Sequence, residues 1–160
     1  MDYDRLGEEV ARSEYAELDA QAVADALNAR NLPVVVDVPT FDARGLLLGT
    51  GEWGALCIFA VPQPGDAQEI LQARAVAITA RDTLTLTQSL ETSKPAYMGA
   101  VTQMLGLLTQ VGVISAGTRD ALLALTQSSR SRADELAIGP VTDQDVLTVR
   151  KMAQMAEGAS

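Results

Sequence analysis

A chain of 160 residues with 21 acidic and 12 basic side chains, no histidine and one cysteine carries a net charge of −9. The missing imidazole removes the usual general base at neutral pH and the commonest metal ligand, and Cys57 alone builds no internal disulfide or two-cysteine site. The negative field repels phosphate backbones and no basic stripe opposes it, so nucleic-acid binding is not expected.

The length fits a single domain over residues 1–160, which buries roughly 70% of its unfolded surface without staples. Apolar residues make up 48% of the chain, but the aromatics are only Tyr3, Tyr15, Tyr97, Phe41, Phe59 and Trp53. An aliphatic interior of that kind points to packed helices rather than a β-sandwich. Asp2, Asp4, Glu8 and Glu9 follow Met1, the opposite of a basic signal-peptide start, and no apolar stretch nears the ~20 residues that span a bilayer. A soluble protein of a reducing compartment, or of an assembly that never needs oxidation, is the expectation.

In chain order, Tyr3, Leu6 and Val10 share one face of a helix over 3–10. Asp19 caps a second helix over 20–29, with Ala22, Val23, Ala26 and Leu27 as its apolar stripe. Val34 to Val38, β-branched and bracketed by Pro33 and Pro39, reads as the one short β element, an edge or isolated pairing strand. Thr40 is a candidate cap for a short helix to Leu48, and Gly49, Gly51 and Gly54 bracket Trp53. Ala55–Val61 is a two-turn apolar run stopped at Pro62–Gln63–Pro64–Gly65, the best internal hinge. Asp66 then reads as the cap of a longer helix, whose end at Thr83–Thr87 alternates with period two and leaves strand and helix in competition. Lys94–Pro95 opens a helix to near Gly112, and Ser115 caps the next, so the two form an antiparallel hairpin. Ser131 and Thr142 start the last two helices, and the end from Ala153 reads as frayed. The fold class is mainly α: a small helical bundle with a C-terminal helical hairpin and one short β element at residues 34–38, with flexible termini.

Gly49-Thr50-Gly51-Glu52-Trp53-Gly54 is a literal G-x-G-x-x-G. A dinucleotide loop needs a buried strand before it, a long helix after it and open space for pyrophosphate. Leu46–Leu48 is short, Pro62 ends the helix early, Glu52 puts a negative charge in the loop and Trp53 is bulky. The pattern reads as a glycine-rich turn that swings Trp53 into the core or onto a partner. The clusters Asp2/Asp4/Glu8/Glu9 and Asp143/Asp145 lack EF-hand spacing, and the second suits a helix dipole. Ser128, Ser129 and Ser131 have no activating histidine, Cys57 reads as a small buried hydrophobe, and Arg130 and Arg132 fit local carboxylates, a helix-end carbonyl or an intersubunit salt bridge. The hairpin from Leu105 to Leu125 presents Arg119 beside Asp120 and aliphatics, a poor groove reader, so packing accounts for it better than DNA recognition. No catalytic, cofactor or metal residue is nominated.

Two stretches carry a resemblance: Tyr15-Ala16-Glu17-Leu18-Asp19 with Ala24-Asp25-Ala26-Leu27-Asn28, and Ser131-Arg132-Ala133-Asp134-Glu135-Leu136 with Gly139, Val141 and Asp145-Val146. They resemble the opening and ending of small proteins encoded among the late structural genes of tailed bacteriophages. Glu17 and Ala137 stand where that pattern has glycine. The resemblance implies a virion component from the tail, baseplate or fibre end of the particle, assembled in the host cytoplasm, and carries over no catalytic residue. The expected role is a non-enzymatic structural protein in symmetric copies, contacting other virion proteins, with neither nucleic acid nor membrane as partner. The expected contact residues are Tyr3, Leu6, Val34, Val35, Val36, Val38 and Trp53, the valine segment by pairing with a neighbour's sheet edge or within its own domain. The alternative is an assembly chaperone or scaffold whose charge shields a basic partner and which leaves before maturation. An enzyme is the third class, for which the sequence offers no nucleophile–base pair.

Overall fold

The computed structural model describes residues Met1–Gly158, and the chain is mainly α. It divides into two compact units. One joins Met1–Val34 to the segment from Ser129 onward, and the other is the continuous stretch Val35–Ser128.

The discontinuous unit holds α1 (Tyr3–Val10), a 3-10 turn (Ser13–Tyr15), α2 (Ala20–Asn28), α8 (Arg132–Glu135) and α9 (Asp143–Glu157). Its helix starts follow the sequence closely. Asp2 and Asp19 accept from the N–H groups of Arg5 and Ala22, while Ser131 with Asp134 and Thr142 with Asp145 form reciprocal capping boxes. Apolar residues three and four apart then face one core of Leu6, Val10, Tyr15, Val23, Leu27, Ile138, Val141, Val146 and Val149. The α1 and α9 helices run side by side in the same direction: the Tyr3 hydroxyl donates to Asp145 Oδ1 at 2.9 Å, and a Cβ on Gly7 would stand 3.9 Å from that of Val149. Asn28 closes the layer, its amide exchanging two hydrogen bonds with the backbone of Val141.

Two helices end in the same reverse-turn motif with different residues at the critical position. After α6 (Pro95–Gln110) of the continuous unit, Val113 N–H reaches Leu108 O and Gly112 N–H reaches Thr109 O, with Gly112 at φ 74°. After α8, Ile138 N–H reaches Ala133 O and Ala137 N–H reaches Asp134 O, with Ala137 at φ 55°. Glycine suits this left-handed position, whereas a Cβ there costs about 1–2 kcal/mol. Ala137→Gly is therefore expected to stabilise the protein by about 0.5–1 kcal/mol, the gain being trimmed by glycine's freer unfolded chain. The urea midpoint measures it; a fall would show that the alanine methyl contributes packing worth more than the strain.

The continuous unit holds β2 (Val38–Pro39), α3 (Thr40–Gly49), α4 (Glu52–Phe59), α5 (Gln68–Leu86), β3 (Ser89–Leu90), α6 and α7 (Ala116–Leu125). The hairpin is present: α6 and α7 are joined by the Gly112 turn and Ser115, whose hydroxyl caps α7. Its core is aliphatic as the composition requires, built on Ala43, Leu47, Leu56, Ala77, Ala80, Leu105, Leu108 and Ile114. A void of about 40 Å³ lies among these side chains.

The β element departs from expectation. Residues 34–38 are not one strand. Leu32–Val35 forms β1, which pairs with β4 (Gln127–Arg130), and these two strands carry the chain from one unit to the other and back. Val38–Pro39 pairs separately and antiparallel with β3, Val38 opposite Leu90. The break has a local cause. Buried Thr92 donates its hydroxyl to Val36 O, and Asp37 Oδ1 accepts from Ser93 N–H at 2.9 Å, so side chains rather than a ladder hold Val36–Asp37.

Two sequence caps also move. Pro39 precedes α3 and Thr40 instead donates to Thr87 O. Ala67 precedes α5, while Asp66 accepts from Gln63 N–H and pairs with Arg74. Arg74 also donates to Phe59 O and Val61 O and lies 4.8 Å from the Phe59 ring centroid. The 62–65 segment is thus tied down from both sides. Finally, helix continues through Leu86 at one end and Glu157 at the other, past the points where alternation and composition cast doubt. The last two residues of the expected frayed end lie outside the described residues.

Candidate partner-binding surfaces

The glycine pattern is occupied from within. Gly49 ends α3, Gly51 takes φ 78° as the residue before α4, and Glu52 occupies the first position of α4. A helix rather than a strand precedes the loop. Glu52 Oε1 accepts from Ser115 N–H at 2.9 Å, so its carboxylate sits where α7 begins. Burial pushes this carboxyl up, but hydrogen bonds from Thr118 and Ser115 outweigh it and the net shift is downward. A carboxylate held this way does for one helix start what a phosphate does in a dinucleotide loop. Trp53, half-buried, packs against the core of its own unit.

The other expected contact residues scatter. Leu6 (0% exposed) and Val38 (3%) are core positions, correcting their reading as contact residues, since a side chain already buried offers a partner no surface. Val34 and Val36 are half-buried. Val35 and Tyr3 are exposed, and Tyr3 donates its hydroxyl to Asp145, which raises its pKa.

A different set of large apolar side chains reaches solvent from the continuous unit. Phe41 is 72% exposed, Ile58 75% and Leu86 81%. Thr40 donates N–H to Gln88 O and hydroxyl to Thr87 O, so Phe41 and Leu86 flank one junction. Leu48, also exposed, is two turns along α3 from Phe41, with Gly45 between them and the core residues Ala43 and Leu47 behind. The signal was present in the sequence as an α3 too apolar for one face. Leu84 and Leu86 show the same logic: two residues apart on a helix they point nearly opposite ways, and the first is buried while the second is not.

Charge dominates the discontinuous unit. Glu9, 5% exposed, receives Arg132 through both carboxylate oxygens at 2.8 and 2.9 Å and Arg12 at 3.0 Å. Arg132 also pairs with Glu135, and Arg130 with Glu135. These are the local carboxylates the sequence offered. The Arg132 hydrogen bonds hold the Glu9 carboxyl below the ordinary carboxylate range against the opposing push of burial. The cluster ties α1 to α8 through these ion pairs.

Between α1 and α9 runs an open groove of about 280 Å³, lined by Tyr3, Gly7, Val10, Val149, Met152 and Ala153 and rimmed by Asp4 and Glu8. Among the described residues, no group of three or more His, Cys, Asp or Glu side chains is placed to hold a metal ion, and no helix is long and apolar enough to cross a membrane. No protein-family model matches the chain, and comparisons with curated proteins and with solved structures give no significant match.

Proposed function

We propose that this chain is a non-enzymatic structural part of a tailed-phage particle, seated against neighbouring virion proteins by the apolar side chains of its continuous unit. The observation that carries the contact role is the exposure of Phe41, Leu48 and Leu86 around α3 and its junction with α5. Single exposed leucines are ordinary, whereas several large apolar groups exposed along one helix and at its junction with another favour a covered surface. The phage setting rests on the resemblance of the two ends of the chain. The backbone supplies a physical reason for one element of that pattern, because Ala137, in the place of its glycine, adopts the left-handed conformation that glycine serves.

An assembly factor is the second reading. It is favoured by the acidic rim of the α1–α9 groove, which forms no ion pair among the described residues, and by the net charge of −9, which suit temporary cover for a basic partner. Mass spectrometry of purified particles of the encoding phage, with stoichiometry, separates the two. A fixed, low-multiple copy number supports the structural part and gives its symmetry. Absence from particles, with assembly lost when the gene is deleted, overturns it in favour of the factor.

A further inference from the structure

We propose that the groove between α1 and α9 is a docking site for a cationic amphipathic helix of a partner protein. The accessible floor is apolar: Tyr3 of α1 with Met152 and Ala153 of α9 reach solvent there, above the buried Val10 and Val149, and Gly7 adds no side chain to fill the space. Met152 is 52% exposed, and a flexible thioether of this kind adapts to the side chains of a visiting helix. From Lys151 to Glu157 every residue of α9 is exposed, so the wall of the groove outlasts the shorter α1.

Charge decides which helix fits. Asp4 and Glu8 stand four apart on α1, both exposed, and no ion pair to either is present among the described residues. Like charges at that spacing repel, and a cation between them relieves both. Arg150, the basic residue of the same groove, is turned away from this duty because its guanidinium donates to Tyr15 O and Leu18 O at 3.0 Å each. The other acidic groups at this end are engaged, Asp2 before α1 with Arg5 and Glu9 within it with Arg132. The whole unit carries thirteen acidic against seven basic side chains, so its field also steers a basic segment inward. A second copy of this acidic chain is the poorer occupant for the same reason. The inference concerns the discontinuous unit, not the apolar joint around α3 in the continuous one, and holds whether or not the protein stays in a particle.

The test is fluorescence anisotropy of a labelled helical peptide of ~18 residues, five turns, with leucine on one face and lysine along both edges, titrated with the full chain. A peptide with glutamate for lysine is the charge control. The wild type is expected to bind the lysine peptide, more weakly at high salt, and not the glutamate peptide. Asp4→Asn with Glu8→Gln is expected to weaken binding roughly tenfold, at a few tenths to one kcal/mol per lost contact. Asp42→Asn with Glu69→Gln removes the same charge from the other unit and should leave affinity unchanged. Met152→Glu separates a groove from mere attraction. It adds a negative charge, so general electrostatics would tighten binding, whereas a helix seated on the floor is expelled. No binding, equal loss in both double variants, or tighter binding by Met152→Glu would each overturn the proposal. Circular dichroism confirms that every variant keeps its helix content.

Discussion

Arg132→Ala is expected to destabilise the protein by about 2 kcal/mol near neutral pH, because it strands a carboxylate that folding has already taken from water. Glu9 is 5% exposed and its principal partner is the two-pronged Arg132 fork; only the half-exposed Arg12 remains after the substitution. The pH dependence identifies the cause. In the wild type the folded Glu9 carboxyl lies below its ordinary value of 4.5, so its contribution is complete above about that pH and is lost as pH falls through the depressed value. Without Arg132 the leading downward influence is gone while burial still pushes up, so the variant's carboxyl protonates earlier and relieves itself. The stability gap between the two proteins should therefore narrow as pH drops below 4.5. Urea unfolding followed by circular dichroism at both ends of that range measures it. Arg132→Lys, which keeps the charge but not the fork, should fall between the two. A gap that is the same at both pH values would show that Arg132 acts through packing instead.

Leu108→Ala should cost about 4 kcal/mol, and Leu86→Ala less than about 0.5. The side chains are identical; their surroundings are not. Leu108 is 2% exposed, and Leu86 is 81% exposed. Leu108 also borders the existing void of about 40 Å³, so truncation enlarges a cavity rather than opening a new one. The cost of such holes grows by roughly 24 cal/mol per Å³ when neighbours do not collapse. Against a typical total of about 5–15 kcal/mol, this is a large fraction of the stability. Trp53, the sole tryptophan, packs on this core and reports its unfolding by fluorescence. A cost near 1 kcal/mol for Leu108→Ala would show that the void closes on truncation.

The helices were legible because their signals are local. Asp19, Ser115, Ser131 and Thr142 each sit one residue before a helix and accept the backbone N–H that a cap should. The strands were not, because Gln127–Arg130 and Ser89–Leu90 carry no β-branched pattern and acquire strand geometry only from a distant partner. The same limit applies to the surfaces. Periodicity placed Leu6 on an apolar face, but whether that face meets a core or a partner depends on Val146 and Val149, some 140 residues away. Val38 was misjudged for the parallel reason, its cover being Leu90. Glu52 looked like an obstacle in a phosphate loop, and only the fold reveals that Ser115 waits for its carboxylate.

The division of the chain has a consequence for its synthesis. Residues 35–128 emerge from the ribosome as an uninterrupted block that contains every partner of its own core, so they can condense without waiting for the last two helices. The first two helices cannot. Leu6, Val23 and Leu27 must wait for Val146 and Val149, and at ~5–20 residues per second that delay lasts roughly 6–25 seconds. During it, α1 and α2 are uncovered apolar segments whose early acidic residues keep them apart from copies on neighbouring ribosomes. A released chain truncated after residue 130 should therefore protect its middle from protease and surrender its beginning.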